Sequence, residues 1–510
     1  MLIIFFKFAF IFSITVLLIL IVTFMNKLFL ILIFQLFFLF GFSQINHDYN
    51  CFTIIIGKNA TVDGSVLLAH NEDDYGELLV DLHKVPRIQY KIGDSLKLTN
   101  SISIARPSET YSYLWIEMPG QDFSDSYMNE YGVAITSNQS RSKLDNEQGN
   151  IGYYLRRIVI ENAKSAREGV KIAGNLIEKY GYSYSGRTYS IADPNEGWVL
   201  EVVNGKHWVA QRVPDDEVMI IPNYYVINEI DLKDTVNFLG FADIIDYAIS
   251  KGWYNPQNGQ KFNFKQAYAD QQGLNLNSNI ARKWAAINRM SEKKYDYYAD
   301  FPFTFKPKNK ITLNELMEIM QNHYEDTEFD MNPDYNNGNP HINMTMRICS
   351  ESNQYSYIAQ LRKGMPTDIG CIMWFAPRRP CIQPYIPFYF GINSIPENYE
   401  RISYDKAFDL HFDAFHNLKT FFPNHSYWVY YKYALQTDNN YKNSIRTIKQ
   451  IKNNFQFNVF EKQKNFEKDI IKLYKDNPKE AKKKITEFST KYAEYILEEV
   501  KNQLINNLNK

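Results

Sequence analysis

Cys51 is the first residue whose type and place could do chemistry. It stands between a long apolar N-terminal stretch and the first strand-like run. The polar cluster His70-Asn71-Glu72-Asp73-Asp74 closes the next run. If the two runs form a hairpin, the cluster returns beside Cys51. A cysteine at a free N-terminus carries its own base: an α-amine has an unperturbed pKa of about 7.7–8 and can take the thiol proton directly or through water. This requires the Asn50–Cys51 peptide bond to be cut, because an amide nitrogen is no base. The bland alternative for a lone cysteine is a small buried hydrophobe.

Other chemistries find less support. The nine histidines show neither H-E-x-x-H nor zinc-ligand spacing. The acidic run Glu72-Asp73-Asp74 lacks the pattern of a calcium loop. Tyr184-Ser-Gly186 is no G-x-S-x-G elbow, and there is no G-x-G-x-x-G or Walker loop. With Cys51 reserved as a free thiol, Cys349, Cys371 and Cys381 leave an odd number. One disulfide among them, Cys371–Cys381 closing the shortest loop, and three buried thiols are equal alternatives. Lys and Arg number 56 against 57 Asp and Glu, so no general basic field exists for nucleic acid. At 45% hydrophobic the chain is not a disordered one.

The elements that would position these residues are mixed. Phe52–Gly57 and Ser65–Ala69, around the turn signal Asp63-Gly64, read as a hairpin of buried strands. Tyr131–Thr136 is another strand candidate. Apolar residues at spacings of three and four predict one helix over Tyr153–Tyr180, ended by Gly181. Arg187–Ala210, with turns at Asp193–Gly197 and Asn204-Gly205, reads as an antiparallel meander. Met344–Cys349, Tyr355–Leu361 and Cys371–Phe375 are further strand candidates, and Pro377–Pro387 is too rich in proline for regular structure. Beyond about residue 455, Phe466, Ile470, Leu473, Ile485, Phe488, Tyr492 and Ile496 mark an amphipathic helical pair. Without a βαβ rhythm, the class is α+β, or layers built on antiparallel sheets.

Residues 1–43 are almost wholly apolar, with Lys7 and Lys27 the only charges before His47. Met25-Asn26-Lys27, Leu28–Phe40 and Gly41-Phe42-Ser43-Gln44 have the order of a secretory signal, with Met25 as the start. The alternative is one or two membrane spans; Phe8–Met25, at 18 residues, is just long enough for a bilayer core of about 30 Å. The expectation is a leader and short propeptide over 1–50 that are removed. The body is expected in the periplasm or outside the cell, tethered to the membrane only if the leader is retained.

A family resemblance adds to this. Cys51-Phe-Thr-Ile-Ile-Ile-Gly57 through Asp63-Gly64-Ser65 to Ala69-His70-Asn71-Glu72-Asp73 resembles the opening of the C69 dipeptidases. These are N-terminal nucleophile (Ntn) hydrolases related to bile-salt and penicillin V acylases and to secernins. Asn129-Glu130-Tyr131-Gly132-Val133, the Glu161–Glu168 helix segment, Ala192–Glu201, Lys206–Asp216 and Ile221-Pro222-Asn223 resemble its later segments, in order. Gln360-Leu361-Arg362, Trp374 and Pro384–Phe390 are similar to its last landmarks.

The resemblance implies a four-layer αββα sandwich with two stacked antiparallel sheets over 51–455, followed by a C-terminal helical extension over 456–510. It implies hydrolysis of dipeptides through a thioester, with Cys51 as nucleophile, its amine as base and Asp73 holding that amine. His70 stands where the family usually has arginine; it would stabilise a thiolate if charged or only hydrogen-bond if neutral. Asn223, and Asn138 beside it, are the implied oxyanion donors, and Arg282 a weaker candidate for an arginine near the thiol, its ordinary reading being a surface charge. No cofactor is implied, and homo-oligomerisation is left open. The alternatives are an N-acyl amino acid or lactam amidase of the same superfamily, or an inactive membrane-tethered binding protein.

Overall fold

The runs either side of Asp63-Gly64 form a hairpin, β1 (Phe52–Ile56) and β2 (Val66–Asp73), with Gly64 at φ +75° in the turn. The computed structural model describes residues 51–508 apart from 75–78, 99–101, 120–124, 144–148, 153, 326, 331, 342–346 and 412–423. The leader over 1–50, including Met25 and both apolar runs, therefore lies outside the described residues. Among the described residues no helix is long and apolar enough to cross a membrane.

Strands β3 (Asp81–Val85), β4 (Tyr113–Glu117), β5 (Ser126–Asn129) and β6 (Ala134–Gln139) come next, then helices α1 (Tyr154–Asn162) and α2 (Ala166–Tyr180). A meander of β7 (Tyr182–Ala192), β8 (Gly197–Gly205) and β9 (Trp208–Val213) leads to β10 (Val218–Ile221) and β11 (Phe238–Gly240). Helix α3 (Asn277–Met290), β12 (Thr304–Phe305), α4 (Leu313–Met320), β13 (Asn353–Leu361), β14 (Cys371–Pro377) and β15 (Ile386–Tyr389) follow. Three helices end the chain: α5 (Ser426–Asn439), α6 (Tyr441–Asp476) and α7 (Pro478–Leu508).

The strands make two antiparallel sheets. One runs β12-β10-β1-β2-β13-β14-β15 and the other β11-β9-β8-β7-β6-β5-β4-β3. The sheets face each other. Thr53 on β1 bonds Asn138 on β6, and Ser126 on β5 lies 2.9 Å from the hydroxyl of Tyr355 on β13. Gly197 has a packing reason: a Cβ there would stand 2.6 Å from Cγ2 of Ile55 on the opposite sheet. Strand β8 shows the layering by alternation. Trp198, Leu200 and Val202 join the core under α1 and α2, whereas Val199 and Val203 join the core reached from the other sheet. On the far side, Asn71 of β2 donates to the carbonyl of Met320 at the end of α4, and Tyr389 packs on Phe466 and Phe488 of α6 and α7. The order is helix, sheet, sheet, helix, the α+β arrangement with two stacked antiparallel sheets.

The structure corrects several element expectations. The single helix over 153–180 is two. Ser165 accepts from the backbone N–H of Glu168, and the Glu168 carboxylate accepts from the N–H of Lys164, so the chain caps a new helix mid-run. The strand expected over Tyr131–Thr136 begins only at Ala134, because Asn129 and Gly132 (φ +77°) turn the chain first. Of the strand expected at Met344–Cys349, 344–346 lies outside the described residues and 347–349 is not strand. Pro387 sits within β15, which a proline tolerates because β15 is an edge strand. The four cysteines are free and buried. Helix α6 starts at Tyr441 and runs through residue 455. Its Glu467 takes a two-pronged ion pair from Arg362 on the loop after β13, at 2.7 and 2.8 Å.

Candidate active site

In the β1–β2 hairpin Phe52 opposes Asn71 and Thr53 opposes His70. One step further along this antiparallel register, Cys51 meets Glu72. Opposed residues point to the same face, and this face is turned to β6 of the other sheet. Cys51, Thr53, His70 and Glu72 are thus gathered in the layer between the sheets, all buried.

Their hydrogen bonds run in one chain. The Asn138 amide nitrogen donates to the carbonyls of Cys51 (3.0 Å) and Ile221 (3.1 Å), which leaves its oxygen as acceptor. The Thr53 hydroxyl donates to that oxygen at 2.6 Å. Thr53 then accepts from His70 Nδ1, 2.7 Å away. His70 Nε2 lies 3.0 Å from one oxygen of Glu72, and the Cys51 thiol donates to the other at 3.0 Å. Burial, with Arg156 and Arg187 nearby, holds the His70 pKa well below its ordinary range, so the ring is neutral. Burial pushes the Glu72 carboxyl up to about 8. A neutral ring with its proton on Nδ1 takes a hydrogen bond from a protonated Glu72. Burial and then Glu72 also raise the Cys51 thiol. Of the two roles open to His70, the structure shows the hydrogen-bonding one; it holds Glu72 and is no fixed cation.

Arg282 departs from its ordinary reading. It is fully buried on α3, and its guanidinium donates to the Cys51 carbonyl at 3.0 Å, to the Asn223 side-chain oxygen at 3.1 Å and to Asn279 at 2.6 Å. Asn223, partly exposed, gives its amide nitrogen to the carbonyl of Gln139 at 3.1 Å. Asn138 and Arg282 therefore grip the main chain of Cys51, and Asn138 has both amide hydrogens engaged, one on Cys51 and one on Ile221.

Asp73, at the end of β2, is held by the segment leading into β13. Its Oδ1 accepts from the hydroxyls of Ser350 and Ser352 and from the Asn353 amide, the last two at 2.9 Å. Its Oδ2 is buried with no hydrogen-bond partner among the described residues. Burial, against those bonds and Arg282, lifts its pKa to about 7. It is in electrostatic contact with Cys51.

All six residues singled out in the sequence, Cys51, His70, Asp73, Asn138, Asn223 and Arg282, are joined by these bonds and contacts. Sequence reasoning missed Glu72 as the thiol's partner, Thr53, and the Ser350, Ser352 and Asn353 clamp. Hairpin register carries the signal for the first two; nothing local carries it for the clamp, which lies far along the chain. Chemically, the site offers a thiol, a carboxyl with one free oxygen and amide and guanidinium donors.

The model of peptidase family C69 matches residues 50–454. A probable dipeptidase of Latilactobacillus sakei is 28% identical over 382 residues, covering 71% of this chain and 79% of its own length. Dipeptidase A of Lactobacillus helveticus is 26% identical over 427 residues, 77% of this chain and 89% of its own. Among solved structures, a mutant of conjugated bile acid hydrolase from Clostridium perfringens aligns over 69% of this chain and 93% of its own at 14% identity, with a TM-score of 0.29.

Proposed function

The chain belongs to peptidase family C69 and is a peptide-bond hydrolase, and from that premise we propose that it cleaves dipeptides with the Cys51 thiol as nucleophile once the Asn50–Cys51 bond has been cut. The observation that carries the mechanism is Asp73. A buried carboxylate with one oxygen unmatched is costly, and it stands in electrostatic contact with Cys51. An α-ammonium on Cys51 supplies the missing partner, and the carboxylate in turn orients the amine and raises its pKa.

The freed amine takes the thiol proton, and the thiolate adds to the scissile carbonyl. As the C–N bond breaks, the ammonium returns that proton to the leaving amine and a thioester remains. Water then gives a proton to the amine and attacks the thioester; Cys51 leaves as thiolate, is reprotonated and the acid is released. Asn223 is the proposed oxyanion donor; one such donor is worth at most about 3–4 kcal/mol. Asn138 and Arg282 hold the nucleophile's main chain, and Glu72 fixes the direction of its thiol. Export is part of the same proposal, supported by the apolar runs of residues 1–43.

Intact mass and N-terminal peptide mapping of the active protein test it. The expected mature chain begins at Cys51. A chain that starts at or before Gln44 and still turns over dipeptides removes the α-amine as base. A panel holding dipeptides beside N-acyl amino acids tests the substrate class, with dipeptides preferred, and an absence of thiol-dependent turnover overturns the enzymatic reading.

A further inference from the structure

A second cluster of reactive side chains lies outside the site above. One donor atom from each of His323, His341, Cys349 and Cys381 lies within 4.8 Å of every other, and all four residues are buried. We propose that these four residues bind a structural zinc ion in a closed Cys2His2 tetrahedron.

The geometry fits the ion. With Zn–S of about 2.3 Å and Zn–N of about 2.0 Å, the edges of such a tetrahedron run roughly 3.3–3.8 Å. His341 Nε2 is 3.4 Å from the Cys381 sulfur and 4.0 Å from that of Cys349. The rings of His323 and His341 meet edge to face with centroids 5.0 Å apart.

The outer partners fit as well. His323 Nδ1 is 2.8 Å from the Glu325 carboxylate, and His341 Nδ1 is 2.9 Å from that of Asp438. A carboxylate on one ring nitrogen fixes the tautomer and leaves the other nitrogen as ligand. His323 Nε2 is buried with no hydrogen-bond partner among the described residues. Arg379 pairs with Asp438 and secures that carboxylate.

Two thiolates with two imidazoles suit zinc, and four protein ligands mark a structural rather than a catalytic ion. A disulfide between Cys349 and Cys381 would leave two carboxylate-backed histidines without a task. The donors come from four places: the end of α4, the loop at Pro340, the approach to β13 and the proline-rich link between β14 and β15. Dispersed in this way they make no spacing motif. The described residues between Gln321 and Ser352 hold little regular structure, and the ion fastens the stretch near both ends. None of this depends on Cys51 being a nucleophile.

The test is metal analysis of the full-length chain, produced with zinc in the medium and purified without chelator, by inductively coupled plasma mass spectrometry. The expected result is one zinc per chain, and protein grown with cobalt should show thiolate-to-cobalt charge-transfer absorption. Cys349→Ser and Cys381→Ser should each lose at least nine-tenths of the metal, whereas Cys371→Ser, outside the cluster, retains it. Zinc below a tenth of an equivalent in the wild-type chain, or a Cys349–Cys381 disulfide on peptide mapping, overturns the proposal. Because the wild-type count and the cobalt spectrum need no variant, a poorly folding serine variant leaves the outcome decided.

Discussion

Cys51→Ala should abolish dipeptide hydrolysis without unfolding the chain, because a smaller apolar residue replaces a thiol whose hydrogen-bond partner, Glu72, is protonated. The two variants of Glu72 separate its roles. Glu72→Gln keeps a donor toward His70 and an acceptor toward the thiol, so in urea at pH 6 it should cost less than Glu72→Ala. Glu72→Ala strands the buried Nε2 of His70 and should cost about 1–3 kcal/mol. Arg282→Ala leaves the Cys51 carbonyl, Asn223 and Asn279 without their shared donor. Bonds to a charged group run to about 1.5–3 kcal/mol each, so a loss near 3 kcal/mol or more is expected in urea unfolding, together with loss of turnover. Cys51 and Asp73 were legible in the sequence because their types and order matched a known opening. Arg282 stood only as a weaker candidate for an arginine near the thiol, since nothing local tells a buried helical arginine from a solvated one.

Among the elements, the break between α1 and α2 yields a clean prediction. Ser165→Ala removes the cap on Glu168 and should destabilise by about 1 kcal/mol, seen as a lower urea midpoint with an unchanged slope. The Ser165-x-x-Glu168 pattern announces this cap, but continuous apolar spacing from Leu155 to Ile177 masked it. Gly197→Ala puts a methyl against Ile55 across the sheets and should cost about 1–3 kcal/mol by overpacking. Strand existence was readable for β1, β2, β8, β13 and β14, whose apolar, β-branched runs are bounded by turns. The facing of β1 and β2 was not. Both strands are buried on both sides, so no inside–outside alternation exists to say which way the face shared by Cys51 and Glu72 is turned. The strand start at Ala134 was misjudged for a different reason, the Asn129 side chain taking the backbone N–H groups of Tyr131 and Val133.

At the scale of the whole molecule, three buried carboxyls each add a pH-dependent contribution to the stability of the uncut chain. Burial raises Glu72 and Glu201 from 4.5 to about 8 and Asp73 from 3.8 to about 7. The folded state therefore holds protons that the unfolded state releases above pH 4–4.5. The contribution of these three groups is fullest below that range and falls as pH rises toward 8. One pKa unit is about 1.4 kcal/mol, so Glu72 by itself accounts for some 3–5 kcal/mol of that decline. Urea titrations of uncut wild type and Glu72→Gln at pH 5 and pH 8 should show a decline smaller in the variant by that amount; an equal decline in both would remove the protonated Glu72. Cutting before Cys51 sets a cation beside Asp73 and should erase the Asp73 part of the slope. Layer order was legible only through the family resemblance, because stacking is decided by contacts such as Thr53 with Asn138 that no local pattern encodes.

The burial of Cys51 at the head of a central strand reaches beyond catalysis, into handling and turnover. In the uncut chain Cys51 faces the space between two sheets with 2% of its surface exposed, so a chain cut before it would present its first residue to that space. A chain cut there as proposed should offer aminopeptidases, far larger than a dipeptide, no protruding end to trim. If the proposed cut before Cys51 occurs, an affinity tag fused ahead of the sequence is shed with the leader, whereas one fused after α7 stays on the mature protein.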